Sequence, residues 1–172
     1  ESTFSSGMAL VYSATCYMSR QYNSLRDSAA LRYTISRDYN AYVSSLLAYT
    51  KKVQHINEQA SYFWQSENEI RLNAIRKELE KASVYSGQAI SQDQVQRLVD
   101  LTVQTIGIAK QLEKPSQQGF ILVKMASSLA KALCNLSYSI AEYAGLVDKV
   151  ECKKMFADIE SIKNNLINQA QI

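Results

Sequence analysis

The sequence predicts an all-α fold: an elongated helical bundle of about five helices, one of them much longer than the rest. Three observations carry this. No Gly or Pro occurs between Met8 and Ser86, and five Gly with one Pro in 172 residues are too few for the turns of an all-β domain. Apolar residues recur at alternating steps of four and three, the helical period. The two-residue alternation of a half-buried strand persists nowhere. At 47% hydrophobic, the chain is apolar enough to exclude wholesale disorder and long enough to bury a sizeable core. One domain spanning 1–172 is expected, with an N-terminal helical part over 1–86 and three shorter helices over 91–172.

The main element follows from one seam. Ile35, Tyr39, Tyr42, Leu46, Tyr49, Val53, Ile56, Ala60, Phe63, Glu67, Ile70 and Ala74 fall on one coiled-coil-like stripe, and Glu67 alone among them is neither apolar nor aromatic. After it, Leu72, Ile75, Leu79 and Ala82 start a second stripe offset from the first, which places a kink or a change of packing partner near Glu67–Asn68. A long helix over about 27–85 is expected, roughly 90 Å if continuous. Upstream, Phe4, Met8, Val11, Thr15, Met18, Tyr22, Leu25 and Ala29 form a similar seam. A break is expected at Tyr22–Ser28, where Asn23, Ser24, Asp27 and Ser28 offer capping side chains.

Gly87 ends the long segment. Ser91 and Gln94 form an S-x-x-Q capping box, so a helix is expected from about Gln92 to Leu112, with Val95, Leu98, Val99, Ile106 and Ala109 inward. Lys114-Pro115-Ser116-Gln117 reads as a loop. The next helix runs from about Gln118 to Ala144 on a seam of Leu122, Ala126, Leu129, Leu133, Leu136 and Ile140, with Gly145 as its terminator. Asp148 then caps a last helix carrying Cys152, Met155, Phe156, Ile159, Ile162 and Leu166.

Charge and motifs argue mostly by exclusion. The 19 basic and 16 acidic residues are spread evenly, without the basic stripe that phosphate binding requires, so no nucleic-acid partner is expected. No run approaches the 18 apolar residues of a membrane span. His55 has no carboxylate or cysteine at ligand spacing and no partner for nucleophilic catalysis, so neither a metal site nor a catalytic triad is expected. The isolated glycines form no phosphate cradle, and no cofactor is expected. Glu67 with Glu69, Glu78 with Glu80, and Asp148 with Glu151 are the carboxylate pairs that hydrolysis could use. They read instead as salt-bridged faces: Glu67 with Arg71, Glu78 with Lys81, Glu80 with Arg76 or Lys77. Cys134 and Cys152 sit at heights differing by roughly 9 Å in a helical hairpin, which disfavours a bridge.

No catalytic, cofactor or metal residue is therefore singled out. The eleven tyrosines point elsewhere. Tyr12, Tyr17, Tyr33, Tyr62, Tyr85, Tyr138 and Tyr143 lie off the seams, and some of them are expected to face a partner. Tyr62 and Trp64, beside the change of seam, are the candidate partner-binding residues. The expectation is a non-enzymatic helical interaction protein: a subunit of a larger assembly, by self-association or with a protein partner, or a rod-like binding module. An inhibitor or immunity-type protein that blocks an enzyme and a membrane-acting helical toxin are the alternatives. The chain begins at Glu1 rather than Met, as a processed, trimmed or internal piece would. Removal of a signal peptide is one route to that, and an extracytoplasmic location is expected.

Overall fold

The computed structural model describes residues 29–60, 65–112 and 117–143, together with isolated helical positions at 154, 157, 161 and 164. Four helices make up this part: α1 (Ala29–Gln59), α2 (Gln65–Glu80), α3 (Gln92–Leu112) and α4 (Gln117–Tyr143). No strand occurs among the described residues. The upstream seam with its break at Tyr22–Ser28, the Lys114–Ser116 stretch and the capped last helix from Asp148 fall outside the described residues, apart from those isolated positions.

α1, at 31 residues the longest helix, packs against the other three. Its seam is the centre of the core: Ile35, Tyr39, Tyr42, Leu46, Tyr49, Val53 and Ile56 are all buried. A second stripe, Ser36, Val43, Thr50, Gln54 and Asn57, is buried as well. The two stripes together cover a wide arc, as a helix enclosed on several sides requires.

The single long helix expected over 27–85 is not formed. The chain leaves the helix at Ala60, whose N–H donates to the Asn57 carbonyl over 3.1 Å in a last tight turn, and α2 starts at Gln65. α2 then runs back along α1. Asn40 contacts Val84 near one end of the pair and Gln54 contacts Asn73 near the other, so residue numbers rise on one helix as they fall on the other. The offset of the second stripe is the physical reason. Asn68, Leu72, Ile75 and Leu79 are the buried face of α2. On a continuous helix they would extend the second stripe of α1 beyond anything available to cover it. Folding back lets them pack against that stripe. The remainder of the first stripe turns outward as a result: Glu67 and Ala74 are exposed, and Ile70 is 72% exposed.

Polar side chains fasten the reversal. Gln54 Nε2 donates to Glu69 Oε1 and to Asn73 Oδ1, each over 2.8 Å. Asn57, fully buried, donates to the Gln65 carbonyl at 3.0 Å, and Gln65 Nε2 donates to the Glu58 carbonyl at 2.9 Å. The last contact satisfies a carbonyl that the end of α1 would otherwise leave open. Asn68 Nδ2 donates to Gln111 Oε1 over 2.8 Å, tying α3 to the same cluster.

At the far end of α2 the chain crosses to α3 through residues 81–91. Asn40 clamps this segment in both directions, donating to the Val84 carbonyl and accepting from the Val84 N–H, each over 2.9 Å. A turn from Tyr85 to Gln88 closes with a 3.0 Å hydrogen bond and places Gly87 at φ 79°, a left-handed conformation that L side chains rarely adopt. The capping box forms as the sequence predicts: Gln94 N–H donates to Ser91 Oγ at 3.2 Å, and Ser91 N–H to Gln94 Oε1 at 2.8 Å. All five inward residues expected of α3 are buried, as are all six seam residues of α4.

α1 meets α3 through hydroxyls, Tyr42 with Thr102 and Thr50 with Thr105. It meets α4 through a Ser139 hydroxyl that donates to Asp38. Because Leu46 is fully buried at the middle of α1, Leu46→Ala is expected to lower stability by about 2–5 kcal/mol in chemical denaturation.

Candidate interaction surface

Charged and aromatic side chains gather where α2 hands over to α3. A recess of about 560 Å³ opens beneath the 81–91 segment, with Tyr39 of α1 at its base, Glu78 of α2 and Arg97 of α3 on its walls, and Lys81, Tyr85 and Asp93 around it. The local sequence explains the arrangement. Glu78 lies one residue before Leu79 on α2, and Arg97 one before Leu98 on α3, so each projects beside a buried leucine into the space between the helices.

Arg97 grips Glu78 with both arms, Nε to Oε2 at 2.5 Å and the second nitrogen to Oε1 at 2.6 Å. The pair holds the Glu78 carboxyl below the usual carboxylate range, chiefly through the hydrogen bonds from Arg97 and against a smaller opposing effect of burial. The same bonds raise the Arg97 guanidinium. Burial, with a further push from the nearby Glu78 charge, raises the Tyr39 phenol, so it is a neutral hydroxyl at the base of the recess. Tyr42, one turn further into the core and bonded to Thr102, is raised strongly by burial.

Glu78 thus pairs across helices with Arg97, not with Lys81 on its own helix as the sequence suggested. Arg76 and Glu80 pair as expected, at 2.6 Å. Glu67 and Arg71 are both exposed and form no ion pair among the described residues. Glu69 is drawn into the amide cluster at the turn of the hairpin, where Gln54 and Asn57 donate to its carboxylate. A second recess, about 530 Å³, lies at that end between Glu58, Gln65, Glu69, Ile70 and Asn73. His55 stands on the exposed side of α1 beside Gln59. Among the described residues no group of three His, Cys, Asp or Glu is placed to hold a metal ion, and no helix is long and apolar enough to cross a membrane.

Tyr62 and Trp64, the candidate partner-binding residues, lie outside the described residues, as does Cys152; Cys134 is half-buried on α4. Of the other off-seam tyrosines, Tyr12 and Tyr17 also lie outside the described residues, and the remaining four divide. Tyr85 is 87% exposed, Tyr33 54% and Tyr138 46%, whereas Tyr143 is buried. Sequence reasoning passed over Arg97 and the buried amides Gln54, Asn57 and Asn68. Asn68 carried a signal, because it stands at the head of the Leu72–Ile75–Leu79 stripe, where an inward polar residue calls for a buried partner. No protein-family model, curated protein or solved structure matches the chain. The class it can be given is the one its fold defines, an all-α helical bundle.

The Glu78–Arg97 pair gives a pH prediction. The folded-state carboxyl is depressed, so its contribution to stability is present above the ordinary glutamate range and is lost as pH falls through the lowered value. Both side chains are more than a third exposed, so the contribution is small, under about 1 kcal/mol. In an NMR titration the Glu78 carboxyl should titrate below the ordinary glutamate range, and Arg97→Gln should raise it toward that range.

Proposed function

We propose that this chain is a non-enzymatic helical interaction protein that acts as a subunit of a larger, extracytoplasmic assembly or as a binding module. The observation that carries the reading is the exposure of Tyr33 on α1, Tyr138 on α4 and Tyr85 in the segment between α2 and α3, beside helices whose inward faces are already filled. A tyrosine has a large apolar body and a polar tip, and it gains more from covering a partner than from facing water. Tyr85 is also held in place. It opens the Gly87 turn, its neighbour Val84 is clamped by Asn40, and the recess with the Glu78–Arg97 pair lies beside it. An aromatic anchor on a fixed turn next to a polar cleft has the makeup of an interaction hot spot: a large side chain, little ordering cost and charged groups at the edge.

The test is photo-crosslinking in the native source. A benzophenone amino acid replaces Tyr85 in one version of the chain and the exposed Lys51, on the outer side of α1, in another. The reading expects a covalent adduct of discrete mass at position 85 and none at position 51. Only uncrosslinked chain at position 85 would contradict it.

A further inference from the structure

We infer that the outer face of α2 is a self-association surface, on which a second copy of this chain docks antiparallel about a local two-fold axis. This deepens the interaction-protein reading above and rests on it.

Glu67, Ile70, Ala74 and Lys77 follow one another at steps of three, four and three, and all four are exposed. They form a straight stripe about 150° around the helix from the buried Asn68, Leu72, Ile75 and Leu79. Ile70 is the most exposed large aliphatic side chain among the described residues, at 72%. An exposed Ile beside an exposed Ala supplies a knob and a shallow hole on the same surface.

The charges choose the occupant and its direction. Glu67 and Lys77 flank the apolar pair at equal distance from its middle, and neither makes an ion pair among the described residues. Their neighbours Arg76, Glu78 and Glu80 are all engaged, with Glu80, Arg97 and Arg76 respectively. An antiparallel two-fold pairing that sets Ile70 against Ala74 of the second copy also sets Glu67 against Lys77 of that copy, twice over. A parallel pairing in register would oppose Glu67 to Glu67 and Lys77 to Lys77, and like charges facing each other are repulsive. The stripe is therefore complementary to itself in shape and in charge, and in one orientation only, as an interface between identical chains requires. It is short, about 15 Å from Glu67 to Lys77, so the association is weak and concentration-dependent.

Sedimentation velocity over a wide concentration range tests this on the intact chain. Wild type should shift from monomer toward dimer as concentration rises. Glu67→Lys and Lys77→Glu should each weaken the association at least about tenfold. The double variant should recover it, because both ion pairs are restored with reversed sign. An equimolar mixture of the two single variants should form heterodimers, and Ile70→Ser should lose association in every background. All these positions are exposed, so melting temperatures should stay unchanged and loss of folding should not intrude. A wild-type chain that stays monomeric, single variants that associate like wild type, or a double variant and mixture that fail to recover would each overturn the inference. If it fails while the adduct at position 85 is still found, the interaction reading stands and only this surface is wrong.

Discussion

The fold depends on where the second apolar stripe of the long N-terminal segment finds cover. Leu72, Ile75 and Leu79 are each almost fully buried, and each is worth about 1.5–3 kcal/mol when removed from water. On a straight helix that burial would be lost. The chain recovers it by reversing after Gln59 and laying α2 along α1, and the rest of the arrangement follows. α1 becomes the common partner of three helices, residues 81–91 must cross to α3 at the end of the hairpin marked by Asn40, and the first stripe from Glu67 onward is turned to solvent.

Apolar burial favours reversal but sets its register only loosely, because a seam of similar side chains tolerates a shift. Buried polar groups do not, since an unpartnered one costs about 1–3 kcal/mol. Asn57 and Asn68 are nearly free of solvent contact and are bonded to Gln65, Glu69 and Gln111 around the turn. Asn40 and Ser36 do the same at the other end, holding Val84 and Gly87. The two polar clusters fix both ends of the hairpin. The hydroxyl contacts Tyr42–Thr102 and Thr50–Thr105 fix α3 against α1 between them. The same register leaves Glu67, Ile70, Ala74 and Lys77 aligned on the outside and brings Glu78 against Arg97.

Much of this was legible in the sequence, and the failures share one cause. Helix type and limits for α3 and α4, their inward residues and the Ser91–Gln94 capping box all follow from local spacing and capping chemistry, which act within a few residues. The stripe change near Glu67–Asn68 was also readable. Its consequence was not. A change of stripe can be met by a kink, a new partner or a full reversal, and only the tertiary packing of Leu72, Ile75 and Leu79 on α1 decides among them. The Glu78–Arg97 pair and the amide cluster were hidden for the same reason, since their members lie 8 to 43 residues apart and meet only once α1, α2 and α3 have packed. The exposed tyrosines were signalled by their positions off the seams, yet Tyr143, grouped with them, is buried, because it stands three residues past Ile140 and so takes the next step of the α4 seam itself.

The reversal can be measured directly by a distance between spin labels placed at Ser44 on α1 and Glu80 at the end of α2, both exposed. The contacts of Asn40 with Val84 and of Gln54 with Asn73 put these two positions at the same height on neighbouring helices. With packed helices about 8–10 Å apart and the reach of the labels added, double electron–electron resonance on singly diluted chains should give a distance under roughly 25 Å. A continuous helix would separate them by about 54 Å, and a distance near that value would contradict the account.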